Sequence, residues 1–165
     1  MYEILKTLPY CLQLIVIFIP TISLAIAAAS FFLSWREARK RNKLTRANII
    51  TDFFQTLLSD EMMQEAFYII EYDKFEYNKD FHKSKNEEKI DRLLRHFSNI
   101  ALLHKNKLVS SKDIEHIKYY IIRVMGNTEI KKYIQFLENW TKRSGINGHP
   151  LLSLKELYEE LIKSA

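Results

Sequence analysis

Hydrophobic and polar positions divide the chain into two regimes. Leu12 to Leu33 is apolar on every helical face: Leu12, Leu14, Ile15, Val16, Ile17, Phe18, Ile19, Ile22, Leu24 and Ile26 precede an alanine-rich stretch, then Phe31, Phe32 and Leu33. The hydrocarbon core of a bilayer is about 30 Å thick and needs roughly 20 such residues. A core helix of a small soluble domain is rarely apolar all round for so long. The pattern therefore predicts one transmembrane helix. Pro20 removes one donor near its middle, but a kink of that kind is tolerated in lipid, where each aliphatic residue contributes about −0.3 to −0.6 kcal/mol.

Beyond Ala47 the apolar positions recur at helical spacing. Ile49, Ile50, Phe53, Phe54, Leu57 and Leu58 share a face of a helix continuing from the first segment. Asp60 opens Met62, Met63, Ala66, Phe67, Ile69 and Ile70, and Ser84 with Glu87 forms a capping-box signature before Ile90, Leu93, Leu94, Phe97, Ile100, Ala101 and Leu108. Ser110 or Ser111 starts a helix with Ile114, Ile117, Tyr120, Ile121 and Val124 inward and Gly126 as its stop. Thr128 caps Ile130, Tyr133, Ile134, Phe136, Leu137 and Trp140, ended by Gly145; a turn from Ile146 to Pro150 precedes Leu152, Leu154, Leu157, Tyr158 and Leu161. Proline is absent between Pro20 and Pro150, and the only glycines are Gly126, Gly145 and Gly148. So few turn-formers predict an all-α fold: a single N-terminal transmembrane helix, then a five- or six-helix cytoplasmic bundle. Phe75 to Lys83 is its most irregular stretch.

Charge sets the organisation. Thr7 to Trp35 is a run of 29 uncharged residues; Arg36, Arg39, Lys40, Arg41, Lys43 and Arg46 follow, offset only by Glu37. Before the span stand one acid and one base, Glu3 and Lys6. The positive-inside tendency then places the C-terminal side in the cytoplasm of a bacterial cell and the N-terminus outside the inner membrane. A cleaved signal would carry its bases before the apolar run, not after it. Three segments result: 1–35, the external end and membrane helix; 36–46, the basic juxtamembrane segment; and 47–165, the helical domain. From Ala47 to Ala165 eighteen bases face eighteen acids, so the chain's net +5 is a local property of the juxtamembrane segment. A nucleic-acid-binding domain carries a basic surface of its own, so nucleic acid is not an expected partner. Trp35 and the six bases are instead read as membrane-anchor and lipid-headgroup contacts, worth about 1 kcal/mol per base. Within the span, Ser23 with Ala27 and Ala25 with Ala29 are small residues four apart. That spacing permits close helix approach, so Ser23, Ala25, Ala27 and Ala29 are candidate self-association residues and a homo-oligomer a candidate assembly.

The chemistry-bearing residues argue against catalysis. Phosphate-cradling loops need closely spaced glycines, which the chain lacks. The single cysteine, Cys11, falls at the outer end of the span and excludes an intramolecular disulfide or a multi-cysteine zinc site. Asp113 and His116 are one helical turn apart, a usable metal-ligand spacing. Bundle di-metal sites, however, pair two Glu-x-x-His motifs with further glutamates, and Asp113 reads better as a first-turn residue. His96 and His104 are eight apart on one helix and could share a face; His82 and His149 have no matching partner. Ser98, Ser110, Ser111 and Ser144 lack a glycine elbow, and the pairs Glu87-Glu88 and Glu159-Glu160 fall on charge-mixed faces expected to be solvated. No catalytic residue, metal ligand or cofactor is assigned.

The order of features resembles a bacterial family. Trp35-Arg36 at the basic exit is followed by Phe97-Ser98-Asn99-Ile100-Ala101-Leu102-Leu103 running to Lys107-Leu108-Val109. Tyr119-Tyr120-Ile121-Ile122, Trp140 with Arg143, His149-Pro150 and Glu156-Leu157 then come in turn. This is similar to the domain of unknown function 4760, membrane-anchored proteins with a small helical cytoplasmic domain. The chain departs from it at Lys107-Leu108, where a glycine is expected in the turn. The resemblance implies fold and topology and no catalytic residues. The resulting expectation is a single-pass inner-membrane protein with a non-enzymatic interaction or sensing domain that meets an unidentified protein partner. The alternative is a membrane-perturbing effector of an anti-phage or toxin-type defence system.

Overall fold

With glycine and proline scarce, most of the described chain is helical, and side-chain caps mark several of the helix starts. The computed structural model describes residues 10–145 and 151–163, with side chains from Phe18 onward. The expected turn at 146–150 with His149, and Tyr2, Glu3 and Lys6, lie outside these, as does the side chain of Cys11. The described residues hold seven α-helices and no strand: α1 (Tyr10–Ser59), α2 (Glu61–Glu71), α3 (Lys85–Lys105), α4 (Ser111–Ile114), α5 (Lys118–Gly126), α6 (Thr128–Arg143) and α7 (Leu152–Lys163), with one 3-10 turn at Lys79–Phe81. The chain divides into two compact units between Thr45 and Arg46.

In the first unit α1 is long and apolar enough to cross a membrane, and every described side chain from Phe18 to Asn48 is exposed. Pro20 lies inside the helix. The hydroxyls of Thr21 and Ser23 donate to the carbonyls of Phe18 and Ile19, each at 2.8 Å, so these polar groups are satisfied within the helix itself.

The second unit is built around α3. Ile90, Leu93, Leu94, Phe97, Ile100 and Ala101 form its buried stripe, with α2 and α7 against it; α5 packs on α2, α6 and α7. Phe53 and Leu57 of α1 join this core. The Asp60 carboxylate accepts from the Met63 amide at 3.1 Å and Ser84 Oγ from the Glu87 amide at 3.2 Å, as expected of helix caps. The next junction differs from expectation. Asn127, not Thr128, caps α6: its side-chain oxygen accepts from the amides of Glu129 and Ile130 at 2.9 and 3.2 Å. Asn127 also ends α5 in an extended conformation, so Gly126 is the last residue of that helix and not its stop.

The bundle count also departs from five or six. The single helix expected from Ser110 to Gly126 breaks at 115–117, so six helices follow α1. Ile117 donates to Ile114 O at 2.8 Å, a tightened i→i−3 turn, and Ile114 and Ile117 both become fully buried. Two helix ends explain how so few glycines suffice. Lys74 donates to Ile69 O and Asp73 to Ile70 O; Leu108 donates to Leu103 O and Lys107 to His104 O. Both are Schellman motifs, whose left-handed position usually takes glycine. Here Asp73 and Lys107 occupy it, at φ 52° and 60°.

Candidate functional surfaces and polar clusters

The basic side chains of 36–46 are exposed and form a cationic stretch. The Arg39 guanidinium lies 3.8 Å from the centroid of the Trp35 ring, a cation–π contact that holds the indole beside the basic segment. Arg41 approaches Glu37 at 3.8 Å with both side chains exposed, a pairing worth little in water. Arg36, Arg39, Lys40 and Lys43 recur at i, i+3, i+4 and i+7 and so share one helix face. Arg46 belongs to the second unit, within electrostatic reach of Asp113.

The four small residues of the apolar segment do not make one self-association face. Ser23, Ala25, Ala27 and Ala29 are all helical and all exposed. Two residues of helix rotate about 200°, so Ala25 and Ala29 stand nearly opposite Ser23 and Ala27. A single helix contact can therefore use Ser23 with Ala27, or Ala25 with Ala29, but not all four. The alanine pair has no polar atom to satisfy, whereas the Ser23 hydroxyl is already bonded to Ile19 O.

The richest polar cluster holds down the irregular stretch. The Glu87 carboxylate accepts from the Lys83 amide at 2.5 Å and from His82 Nδ1–H at 2.9 Å. His82 Nε2 is thereby left as an acceptor for the Tyr77 hydroxyl, 3.0 Å away. The buried Tyr133 hydroxyl donates to Asp91 at 2.7 Å and lies 3.5 Å from Glu87, while the Tyr77 amide donates to Glu129 at 3.1 Å. Phe75 and Phe81 bury their rings from the same stretch. Glu87, expected on a solvated face, is instead a three-way anchor. It completes no reciprocal capping box, because its carboxylate reaches Lys83 and not the Ser84 amide. Burial pushes its carboxyl up, but the bonds it accepts from the Lys83 amide and His82 outweigh that and hold it below the ordinary range.

Tyr77–His82–Glu87 has the polarity of a nucleophile–base–acid relay. Its hydroxyl is nevertheless unsuited to the part: burial and the Glu87 charge push the Tyr77 phenol above its ordinary value of about 10. Burial and the bond to Asp91 push Tyr133 up as well. These groups are arranged to stay protonated and donate, which positions the chain. The sequence offered one signal: Tyr133 recurs at core spacing, and a buried tyrosine needs a partner for its hydroxyl.

The other histidines are separately engaged. His96 donates Nε2–H to Phe53 O at 3.1 Å and stacks on the Phe53 ring, 4.1 Å between centroids at 13°. It borders an open cleft of about 420 Å³ with Asp60, Asp91, Arg92 and Arg95. Both arginines there are already matched, Arg92 to Asp60 at 2.7 Å and Arg95 to Asp91 at 3.4 Å. His104 faces a second cleft of about 450 Å³. Ser111 Oγ donates to Glu160 at 3.1 Å, so His104 Nε2–H donates to the serine oxygen, also at 3.1 Å. That is the reverse of a base that activates a hydroxyl. His96 and His104 therefore share no site. Asp113 closes the capping box of α4 with Ser110, whose hydroxyl and amide, helped by Arg46, hold its carboxyl below the ordinary range; His116 is exposed in the following turn. Among the described residues no three His, Cys, Asp or Glu side chains converge on a metal position.

His96 yields a pH prediction. Burial pushes its pKa down, against the opposing Phe53 carbonyl and Asp60 charge, so the unfolded chain takes up the proton first as pH falls. Stability is fully present above the ordinary histidine value of about 6.5 and declines from there toward the depressed folded value. Thermal unfolding in detergent at pH 7.5 and 5.5 checks this: His96→Gln should lose less stability across the interval than the parent, and equal losses would refute the assignment.

Compared with family models, with curated proteins and with solved structures, the chain matches none.

Proposed function

We propose that this chain is a single-pass protein of the bacterial inner membrane, N-terminus outside, whose cytoplasmic helical domain is a non-enzymatic interaction or sensing module. The observation that carries the reading is the contrast between the units. The domain buries Phe97, Ile90 and Leu93 completely in its own core, whereas α1 exposes Phe18, Ile22, Leu24, Ile26, Phe31 and Phe32 and then turns abruptly cationic. An apolar surface of that extent requires lipid or protein cover, and the basic exit matches an anionic inner leaflet. The polar clusters support a module without catalysis, since their hydroxyls donate to fixed acceptors and their charges are paired.

Two cysteine variants of a Cys11→Ser chain test the topology. Tyr2→Cys should react with a membrane-impermeant maleimide on spheroplasts, and Lys85→Cys only after permeabilisation; the opposite pattern would overturn the orientation. In-cell crosslinking from the domain surface should then capture a defined protein or a second copy. The small-residue faces, Ala25 with Ala29 or Ser23 with Ala27, keep the effector reading in play. Growth arrest on overexpression that requires Leu12 to Leu33 would favour it over an interaction module.

A further inference from the structure

The α6 helix turns one face outward that the core does not explain. Its inward face buries Ile130, Tyr133, Ile134 and Thr141. On the other side Phe136 is 38% exposed and Trp140, one turn on, 54% exposed. At 3.6 residues per turn Lys132, Phe136, Trp140 and Arg143 share a sector, with Glu129 among them. Phe136 is propped by the His82 ring at 4.4 Å, so its ring stands on a fixed base.

Which occupant suits this face follows from charge. A second exposed aromatic pair of the domain, Tyr68 and Tyr72 at the end of α2, stands on a face shared with Glu61 and Glu65, and an anionic surface would repel it. On α6 four bases stand against two acids. Lys132 is tied to Glu129 at 2.6 Å, so Arg143 supplies the outward charge beside the indole. Aromatic rings flanked by long basic side chains are the chemistry of the headgroup layer: the ring enters the acyl boundary and the bases reach phosphate. A tethered domain meets that layer at an effective concentration in the mM range, so a weak face suffices.

We propose that the Phe136–Trp140 face of α6 is a second, peripheral lipid contact that lays the domain against anionic phospholipid headgroups. It rests on the membrane anchorage proposed above, and the chain's two tryptophans allow the two to be tested apart. Full-length Trp35→Phe reports Trp140, and full-length Trp140→Phe reports Trp35. Each is reconstituted in phosphatidylcholine vesicles with or without phosphatidylglycerol, with bromine on the acyl chains. The expected result is quenching of Trp140 in the anionic vesicles, reversed by high salt. Replacing Arg143 with glutamine should weaken this contact roughly fivefold. Quenched Trp35 with unquenched Trp140 would overturn the peripheral contact and leave the anchor standing; absence of quenching at Trp35 would remove the anchor and this inference with it. Protection of Trp140 from iodide without bromine quenching would mean a protein cover and overturn the lipid contact, and equal quenching in neutral vesicles would refute recognition of anionic headgroups.

Discussion

Arginine in place of both Leu24 and Ile26 is expected to release the chain from membranes, so that it leaves the carbonate-washed pellet. Leu12 to Leu33 contains thirteen large apolar side chains. At about −0.3 to −0.6 kcal/mol each they favour insertion by roughly 4 to 8 kcal/mol, before the polar residues and Pro20 reduce it. Each arginine near the centre costs about 2.5 to 3.5 kcal/mol and also removes an apolar side chain, so the pair cancels the gain. Snorkelling lowers the penalty near the ends of a span but least at its middle. Arginine at Asn42 and Thr45, beyond the apolar run, should leave fractionation unchanged. If the doubly substituted chain still pelleted like the parent, α1 would be held by protein contacts and the anchorage would fall.

Phe97→Ala should be the most damaging single truncation in the domain. Phe97 is fully buried in the stripe of α3 and meets the Phe53 ring of α1 at 5.9 Å between centroids. Removing such a ring costs about 3 to 5 kcal/mol through lost transfer energy and the cavity left behind. Against a total stability of about 5 to 15 kcal/mol, that is a large fraction. At roughly 3 to 5 °C per kcal/mol for a domain of this size, the midpoint should fall by about 10 to 20 °C. Leu102→Ala on the exposed side of the same helix should stay within about 0.5 kcal/mol. Melts of the full-length protein in detergent, followed by helical dichroism, decide it; similar midpoints for the two variants would mean that α3 is not the centre of the core.

Legibility was uneven, and the difference tracks sequence separation. Asp60, Ser84 and Ser110 were readable as caps because a cap bonds an amide two or three residues away. Asn127 was missed for a local reason: Asn and Thr are adjacent and both suited to capping, and only the extended backbone at Asn127 singles it out. The break at 115–117 was hidden because Ile114, Ile117 and Ile121 fit an unbroken helix equally well. The Glu87 cluster was invisible because Tyr133 lies 46 residues away, and acids at the start of a helix ordinarily face water. His96 and His104 looked like a pair on spacing alone, yet each is claimed by a different element, Phe53 of α1 and Ser111 of α4.

The all-helical class, the apolar first helix and its cationic exit were determined by sequence alone. Hydropathy, charge and helix-breaker content act over one to a few turns and need no distant partner. Only the tertiary structure decided which polar groups meet and which apolar ones stay uncovered: Tyr133 on Asp91, His82 between Tyr77 and Glu87, Trp140 facing outward. Those outcomes depend on how separate helices close against one another, and helical periodicity marks an apolar or polar face without saying what lies opposite.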